Sequence, residues 1–364
     1  NLELNQNPCY QRMGGMEVAR SKERFEDLKR KTAAGKLWGL DVDLLDKRQA
    51  IEKLPLLSDE IYGAMYSAGD GVTIQVSAAE AMAKTACEQG AVFHSGTEVT
   101  NIEVIGGKVS AVITTKGKIQ TDTIVLAAGI WGPVIGRMAG VPIPLQPLRH
   151  QYAHTEPIPE LSAVTEEFQD PILRDQDAAI YMRQRKDHYV IGSYKHEPLS
   201  VEADNILSWK DSQIMPSMME WKDDIFQPGL NSAQELIPCL KGKGLTRKIN
   251  GMFSFTPDGM PLLGESPQVR GFWMAEAVWI THSAGVGKSL AEWMVDGSPS
   301  SDMRECDISR FHLHSQSRPY IRTRAAQQYI EVYDIIHPLQ QSKSPREMRL
   351  SPFYSREKDL DAVF

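Results

Sequence analysis

The stretch Gly271–Gly287, GFWMAEAVWITHSAGVG, does more than any other to limit the folds open to this chain. Phe272, Trp273, Met274 and Ala275 make an apolar, aromatic strand, and Thr281, His282 and Ser283 a short polar turn. Ala284, Gly285 and Gly287 then open an amphipathic helix that continues through KSLAEWMVDG. The first amides of a helix have no partner within it, and the helix dipole makes that end positive. A strand feeding such an end therefore builds an anion site. Gly285 and Gly287 carry no side chain, so a flat ring or a phosphate can approach the backbone closely.

With 364 residues the chain exceeds the length at which one core usually keeps growing, so two or three domains are expected. Its 41% hydrophobic and 24% charged residues are values of a globular protein. A net charge of −7 argues against a nucleic-acid partner, which normally meets a basic surface. It leaves a small acidic substrate open, because one local Arg or Lys suffices. The longest uncharged apolar run, Thr123 to Gly136, is too short to span a bilayer and contains Gly and Pro, so no membrane insertion is expected. Cys9, Cys87, Cys239 and Cys306 lie far apart with no CxxC pair. They read as reduced thiols of a reducing compartment, and no metal site is expected. No start Met or signal peptide precedes Asn1, so a fragment of a longer protein is expected.

The order of elements reads as α/β. CYQRM and MEVAR flank Gly14-Gly15 and predict a hairpin over residues 8–20. Ser21 predicts the cap of a helix running to about Lys31 and closed off near Gly35. Asp46 with Gln49 predicts a capping box for a helix that stops before Pro55. A helix is expected over 77–89, capped by Ser77 with Glu80, its apolar face being Ala78, Ala81, Met82 and Thr85–Ala86. A strand is expected at 91–95, then two around 98–105 and 108–115 joined by Gly106-Gly107. The run 119–128, IQTDTIVLAA, predicts a continuous strand covered on both faces. From about Pro142 the texture changes. Residues 145–155 and 178–194 alternate as antiparallel strands, with the turn at 185–187. Residues 203–224 predict a helix broken at Pro216, and 245–256 returns to strand.

Four places carry candidate chemistry. The first is Ala128-Gly129-Ile130-Trp131-Gly132, where a strand ending in small residues lets the chain pass beneath a dinucleotide; the alternative is a turn that needs only space. The second is Glu98-Val99, whose backbone edge can pair with an adenine or belong to an ordinary strand. The third is His150, placed where the first texture hands over to the second, a preferred location for ligand sites. The fourth is Tyr181, which alternation puts on one face with Ala179 and Arg183, opposite Ile180 and Met182. That face looks into a polar cavity or into solvent. No GxGxxG occurs anywhere. Either the dinucleotide-domain reading is wrong or its first strand-helix-strand unit lies upstream of Asn1.

Together these segments resemble the dimethylglycine/sarcosine dehydrogenase and oxidase family of flavoproteins. The resemblance rests on CYQRMGGMEVARSKERFEDLK, SAGDGV, LAAGIWGP, PLRHQYAHTEPIPE, PILRDQDAAIYMRQ, IGSYKHEP, SFTPDGMPLLGESP, AEAVWITHSAGVGKSLAEWMVDG and YDIIHPLQQSKSPREMRLSPFYSRE. It implies a doubly wound FAD-binding domain of the D-amino-acid-oxidase-like type (74–145 and 252–299, incomplete). It further implies an antiparallel-sheet substrate domain (1–73 and 146–251) and a small central linker domain (300–364). His150 and Tyr181 match the family's active-site pair, and Val99 its contact with the adenine end of FAD. Ala128, Gly129 and Trp131, with Tyr181, are expected to border the cofactor. Ile280, Thr281, His282, Ser283, Ala284, Gly285 and Gly287 match the flavin-ring segment. Arg149 and Arg183 are candidates for a substrate carboxylate by position only. The activity implied is FAD-dependent oxidative demethylation of an N-methyl amino acid. The electron acceptor is oxygen or an electron-transfer flavoprotein, and tetrahydrofolate enters only through a C-terminal domain outside this chain. The compartments implied are the bacterial cytoplasm or the mitochondrial matrix. The family's GxGxxG unit and its upstream His for covalent FAD lie outside this sequence.

Overall fold

The structure of the protein is a computed structural model. It describes residues 9–342, 344–348 and 350–362. The larger of its sheets has eight strands, in the order Leu245–Phe255, Gln146–Thr155, His188–Ser193, Ile180–Arg185, Ile172–Asp175, Gly15–Ala19, Gly63–Ser67 and Val42–Asp46. Every neighbouring pair is antiparallel except 172–175 with 15–19. Alternate side chains point to opposite faces. One face, with Met16, Val18, Leu173, Ile180, Met182 and Ile191, is buried under Phe226, Leu230, Ala233 and Leu236 of the helix Asp223–Leu236. Burying each of those large side chains stabilises the fold by roughly 1.5–3 kcal/mol. The opposite face carries His150, Tyr152, Tyr181, Arg174 and Arg183.

A second core lies beside the first. The strand Phe272–Glu276 runs parallel to Ile124–Leu126 and antiparallel to Leu262–Glu265. A meander of Val99–Ile105, Lys108–Thr114 and Gly117–Gln120 packs on it through Ile102 and Val109. The helices Gly132–Met138 and Ser283–Asp296 leave from the ends of the 124–126 and 272–276 strands.

Several local expectations hold. Ser21 accepts from the Arg24 amide and caps Lys22–Leu37. Asp46 and Gln49 exchange both capping-box bonds, at 2.8 and 2.9 Å, ahead of Lys47–Lys53. The turn at 185–187 joins 180–185 to 188–193. Gly35 does not close the first helix. It lies within Lys22–Leu37, where the lack of a Cβ leaves room for Val42: a Cβ there would stand 2.9 Å from Val42 Cγ2.

Others are corrected. Residues 10–19 form no hairpin: Tyr10–Arg12 pairs with Gly71–Thr73, and 15–19 pairs with 63–67 and 172–175. Gly14 takes positive φ, and its amide donates to the Asp70 carbonyl, which turns the chain toward a different partner. Pro8 lies outside the described residues. The next helix is Gln75–Glu88 and starts at Ile74 with no side-chain cap. Ser77 is already inside it, so it has no orphan amide to reach, and of the expected apolar face only Ala81 is buried. Residues 91–95 form no strand and pair with none of the described strands; Val92 and Phe93 are exposed. The run 119–128 is two strands, split at Thr121–Thr123, and Val125 is exposed, so it is not covered on both faces. Residues 203–222 form no helix beyond the short turn Ala203–Asn205. Backbone groups of 219–222 are bonded to Gln151 and Asn250 of the large sheet, which a helix would not permit. The helix begins at Asp223 and carries Pro228 within it.

Candidate active site

The 124–126 strand ends at Ala128, and Gly129 follows at φ +55°, a conformation that favours glycine. A short turn, Gly129–Trp131, leads into the 132–138 helix. A Cβ built on Gly129 would meet nothing within 4 Å, so the space above this turn is open. Trp131 is half-buried and, like Met252 of the large sheet, packs on the cluster of Ile130, Val201 and Ile206. Below the turn stands Glu276, the last residue of the 272–276 strand and wholly buried. Its Oε1 accepts from the Ala128 amide at 2.5 Å, while Oε2 has no hydrogen-bond partner. Gly132 is glycine for the same reason: a Cβ there would lie 2.6 Å from Oε2. Desolvation raises the Glu276 carboxyl to about 8.

Sequence reasoning missed Glu276. The signal was a carboxylate on the same alternating face as Phe272 and Met274, both buried. A folded-state pKa above the unfolded one means the native state holds the proton more tightly. The stabilisation is complete below about pH 4.5 and is lost as pH rises toward 8, up to roughly 5 kcal/mol in all. Thermal unfolding between pH 5 and 8 should show this decline in the parent and a flatter profile in Glu276→Gln, which keeps an acceptor for the Ala128 amide.

The second open feature is the start of the 283–296 helix. Ile280–His282 form a short turn and Ser283 begins the helix without a side-chain cap. Ile280, Thr281, His282, Ser283, Ala284, Gly285 and Gly287 are all exposed. A Cβ at Gly285 or Gly287 would meet nothing within 4 Å. An uncapped amide end with no side chain over it suits the electron-rich edge of a flavin ring, so the residues present fit that group.

Across from it lies an aromatic wall on the large sheet. His150 is almost fully buried; its Nε2 is 3.0 Å from the Tyr181 hydroxyl and its Nδ1 3.0 Å from the Tyr329 hydroxyl. Phe253 stacks on the imidazole at 4.6 Å between centroids, and Trp279 packs on Phe253 at 5.5 Å. Trp279 also donates to the Ser254 carbonyl, and its own carbonyl accepts from the His282 amide. The imidazole and the 280–287 segment are thereby joined by two rings. Burial, with the neighbouring His196 adding to it, lowers His150 to about 3, so it is a neutral imidazole at any physiological pH. Burial likewise raises the Tyr181 phenol, which stays protonated. Tyr181 lies over Gly192, where a Cβ would fall well under 3.0 Å from its ring.

Arg183 shares the Tyr181 face, with Nη2 3.5 Å from the Tyr152 hydroxyl and the guanidinium over Phe168. Arg149 follows the opposite alternation to His150, its register partner being Met252 of the packing around Ile130 and Val201. Val99 is not part of the wall. It opens the 99–105 strand, pairs with Thr114 and packs on the second core with Ala128. Tyr329, from the helix Arg318–Ile330, and the half-buried His196 were missed, because no local pattern ties residue 329 to residue 150. Among the described residues no group of His, Cys, Asp or Glu could hold a metal ion, and no helix is long and apolar enough to cross a membrane.

Residues 2–293 match the model of the FAD dependent oxidoreductase family known as DAO, and 296–351 match that of the FAD dependent oxidoreductase central domain. The chain is 30% identical over 363 residues to human mitochondrial sarcosine dehydrogenase, covering 96% of this chain and 38% of the relative. Mouse mitochondrial dimethylglycine dehydrogenase is 29% identical over 335 residues, with 90% and 38% covered. Mouse pyruvate dehydrogenase phosphatase regulatory subunit is 31% identical over 362 residues, with 97% and 40% covered. The chain thus spans about two-fifths of the length of these relatives. L-proline dehydrogenase from P. horikoshii shares the fold, with a TM-score of 0.73 at 22% identity over 85% of this chain and 79% of that one. The shared fold agrees with the family match, which covers residues 2–293, and this chain belongs to the DAO family of FAD-dependent oxidoreductases.

Proposed function

We propose that this chain carries the amine pocket and much of the flavin site of an enzyme that oxidatively demethylates a small N-methyl amino acid, dimethylglycine or sarcosine. One observation carries the reading: a neutral imidazole hydrogen-bonded to a phenol, in a buried aromatic wall joined by Phe253 and Trp279 to an open helix start. The amine must lose its proton before its lone pair can stabilise an iminium. A desolvated aromatic wall disfavours the ammonium form. Tyr181 and His150 orient the nitrogen and take up its proton. Arg183, on the same face, holds the substrate carboxylate. Val99, Ala128, Gly129, Trp131 and Tyr181, with the 280–287 segment, hold FAD. Bound FAD supplies the two-electron acceptor for the N-methyl C–H bond. The iminium is then hydrolysed to formaldehyde or captured by tetrahydrofolate on a domain beyond this chain, and oxygen or an electron-transfer flavoprotein takes the electrons onward. We place the FAD-binding portion at 74–145 and 252–299, the substrate portion at 1–73 and 146–251, and the linker at 300–364.

A longer substrate such as 4-methylaminobutyrate fits the same chemistry. A non-catalytic, regulatory role has the mouse phosphatase-subunit relative in its favour. Mass spectrometry of a mixture of N-methyl amino acids incubated with the FAD-loaded protein separates the three. Loss of one methyl from dimethylglycine or sarcosine, with formaldehyde, is expected. Demethylation confined to longer chains selects the second reading, and no turnover the third.

A further inference from the structure

The His150–Tyr181 pair does not end at His150. Its other ring nitrogen reaches Tyr329, and the Tyr329 hydroxyl lies 2.7 Å from Nε2 of His196. His196 Nδ1 lies 2.8 Å from the Glu197 carbonyl oxygen. That last contact sets the direction of every other bond. A carbonyl only accepts, so His196 Nδ1 carries the hydrogen. His196 is held neutral by burial, so its Nε2 is an acceptor, and Tyr329 must donate to it. The Tyr329 oxygen then accepts from His150 Nδ1–H, which leaves His150 Nε2 to accept from Tyr181. The chain thus runs one way, Tyr181 to His150 to Tyr329 to His196, from a buried face to a half-buried loop residue.

We propose that Tyr329 and His196 are positioning residues that complete a proton exit path from the amine pocket, a path that crosses into the 318–330 helix of the central segment. The inference rests on the reading that Tyr181 meets an amine. In one concerted shift the ammonium N–H proton bonds to the Tyr181 oxygen, and the Tyr181 proton passes to His150 Nε2. The His150 Nδ1 proton passes to the Tyr329 oxygen, and the Tyr329 proton to His196 Nε2. One proton leaves the amine and one arrives at His196, which releases it to water; no electrons move. His150 never holds net charge at rest, in keeping with an imidazole that burial keeps neutral.

The test uses the FAD-loaded protein with 15N-labelled histidine. Both His150 and His196 are expected as neutral Nδ1–H tautomers at neutral pH. His150 protonated at Nε2 instead overturns the direction and the proposal. Under anaerobic single turnover, His196→Ala is expected to slow flavin reduction by roughly 10- to 100-fold at unchanged amine Kd, at or below the low end of the roughly 10²–10⁴-fold of a group that meets the amine directly. Imidazole added to the buffer is expected to restore much of that rate, which it would not do for a structural loss. Because His196 is half-buried, this variant tests the path without leaving the buried His150 Nδ1 unpaired, as Tyr329→Phe would. A His196→Ala protein reduced at the full rate, or one slowed but not rescued, overturns the exit path and leaves the proposed function standing. A parent protein that no N-methyl amine reduces overturns that function, and the path with it.

Discussion

Replacing His150 with alanine is expected to slow reduction of the flavin by the amine by about 10²–10⁴-fold, the range of a lost acid-base group, and to leave FAD affinity nearly unchanged. The reason is positional. His150 sits on the large sheet, whereas Gly129 and the 280–287 turn belong to the other core. Phe253 and Trp279 connect them, and both rings remain. The substitution strands the Tyr181 hydroxyl, a buried polar group left unpaired at a cost of about 1–3 kcal/mol, whereas the Tyr329 hydroxyl keeps its bond to His196. A lower melting temperature should therefore accompany the rate loss. The check is stopped-flow reduction beside FAD titration. A parent-like reduction rate removes His150 from the chemistry, and a loss of FAD binding as large as the rate loss makes its role structural.

A single added methyl at Gly192 should do nearly as much. Gly192 pairs with Tyr152 on one side and Tyr181 on the other. A Cβ at this position would fall well under 3.0 Å from both Tyr181 Cζ and the hydroxyl oxygen, a separation that real Cβ atoms do not adopt. A strand Cβ cannot move away without the sheet, so the phenol must swing and its bond to His150 breaks. Gly192→Ala is expected to reduce the rate at least as far as Tyr181→Phe does, with an overpacking cost of about 1–3 kcal/mol. Combining the two should add little to Gly192→Ala alone, because both act through one hydroxyl. Additive losses would mean that Gly192 acts through something other than Tyr181.

What the chain discloses as a sequence follows from how local each signal is. The 271–287 run and the Asp46–Gln49 box are written in residues that touch one another, and the structure keeps both. The alternation around Tyr181 correctly separates it from Ile180 and Met182, because period two survives any arrangement of the neighbouring strands. The Gly14-Gly15 hairpin fails because the partner of 10–12 is 71–73, some sixty residues on, and a turn dipeptide says nothing of distant competitors. Residues 91–95 fail for the matching reason: strand propensity without a neighbouring strand leaves backbone groups unpaired, and the segment stays irregular. Glu276 and Tyr329 depend on packing between segments more than a hundred residues apart. Glu276 is recognisable only once Ala128 is seen above it, and Tyr329 only once the 318–330 helix is seen over His150.

The resemblance to dimethylglycine and sarcosine dehydrogenases and the match to the DAO family agree on a flavin. The folded chain adds why a buried imidazole is useful there. Held neutral by its surroundings, it is an acceptor and a relay and cannot be a resting counter-charge for a carboxylate. In the proposed reading that task is left to Arg183, which lies on the same face as Tyr181 with Nη2 3.5 Å from the Tyr152 hydroxyl.

The most direct test of bond cleavage at the N-methyl carbon is the isotope effect on anaerobic flavin reduction by sarcosine. Deuterium in the N-methyl group is predicted to slow the FAD-loaded protein several-fold, and deuterium at the α-carbon to leave the rate unchanged. A rate that responds to the α-carbon and ignores the methyl would assign this wall to oxidation of the amino-acid backbone and contradict demethylation.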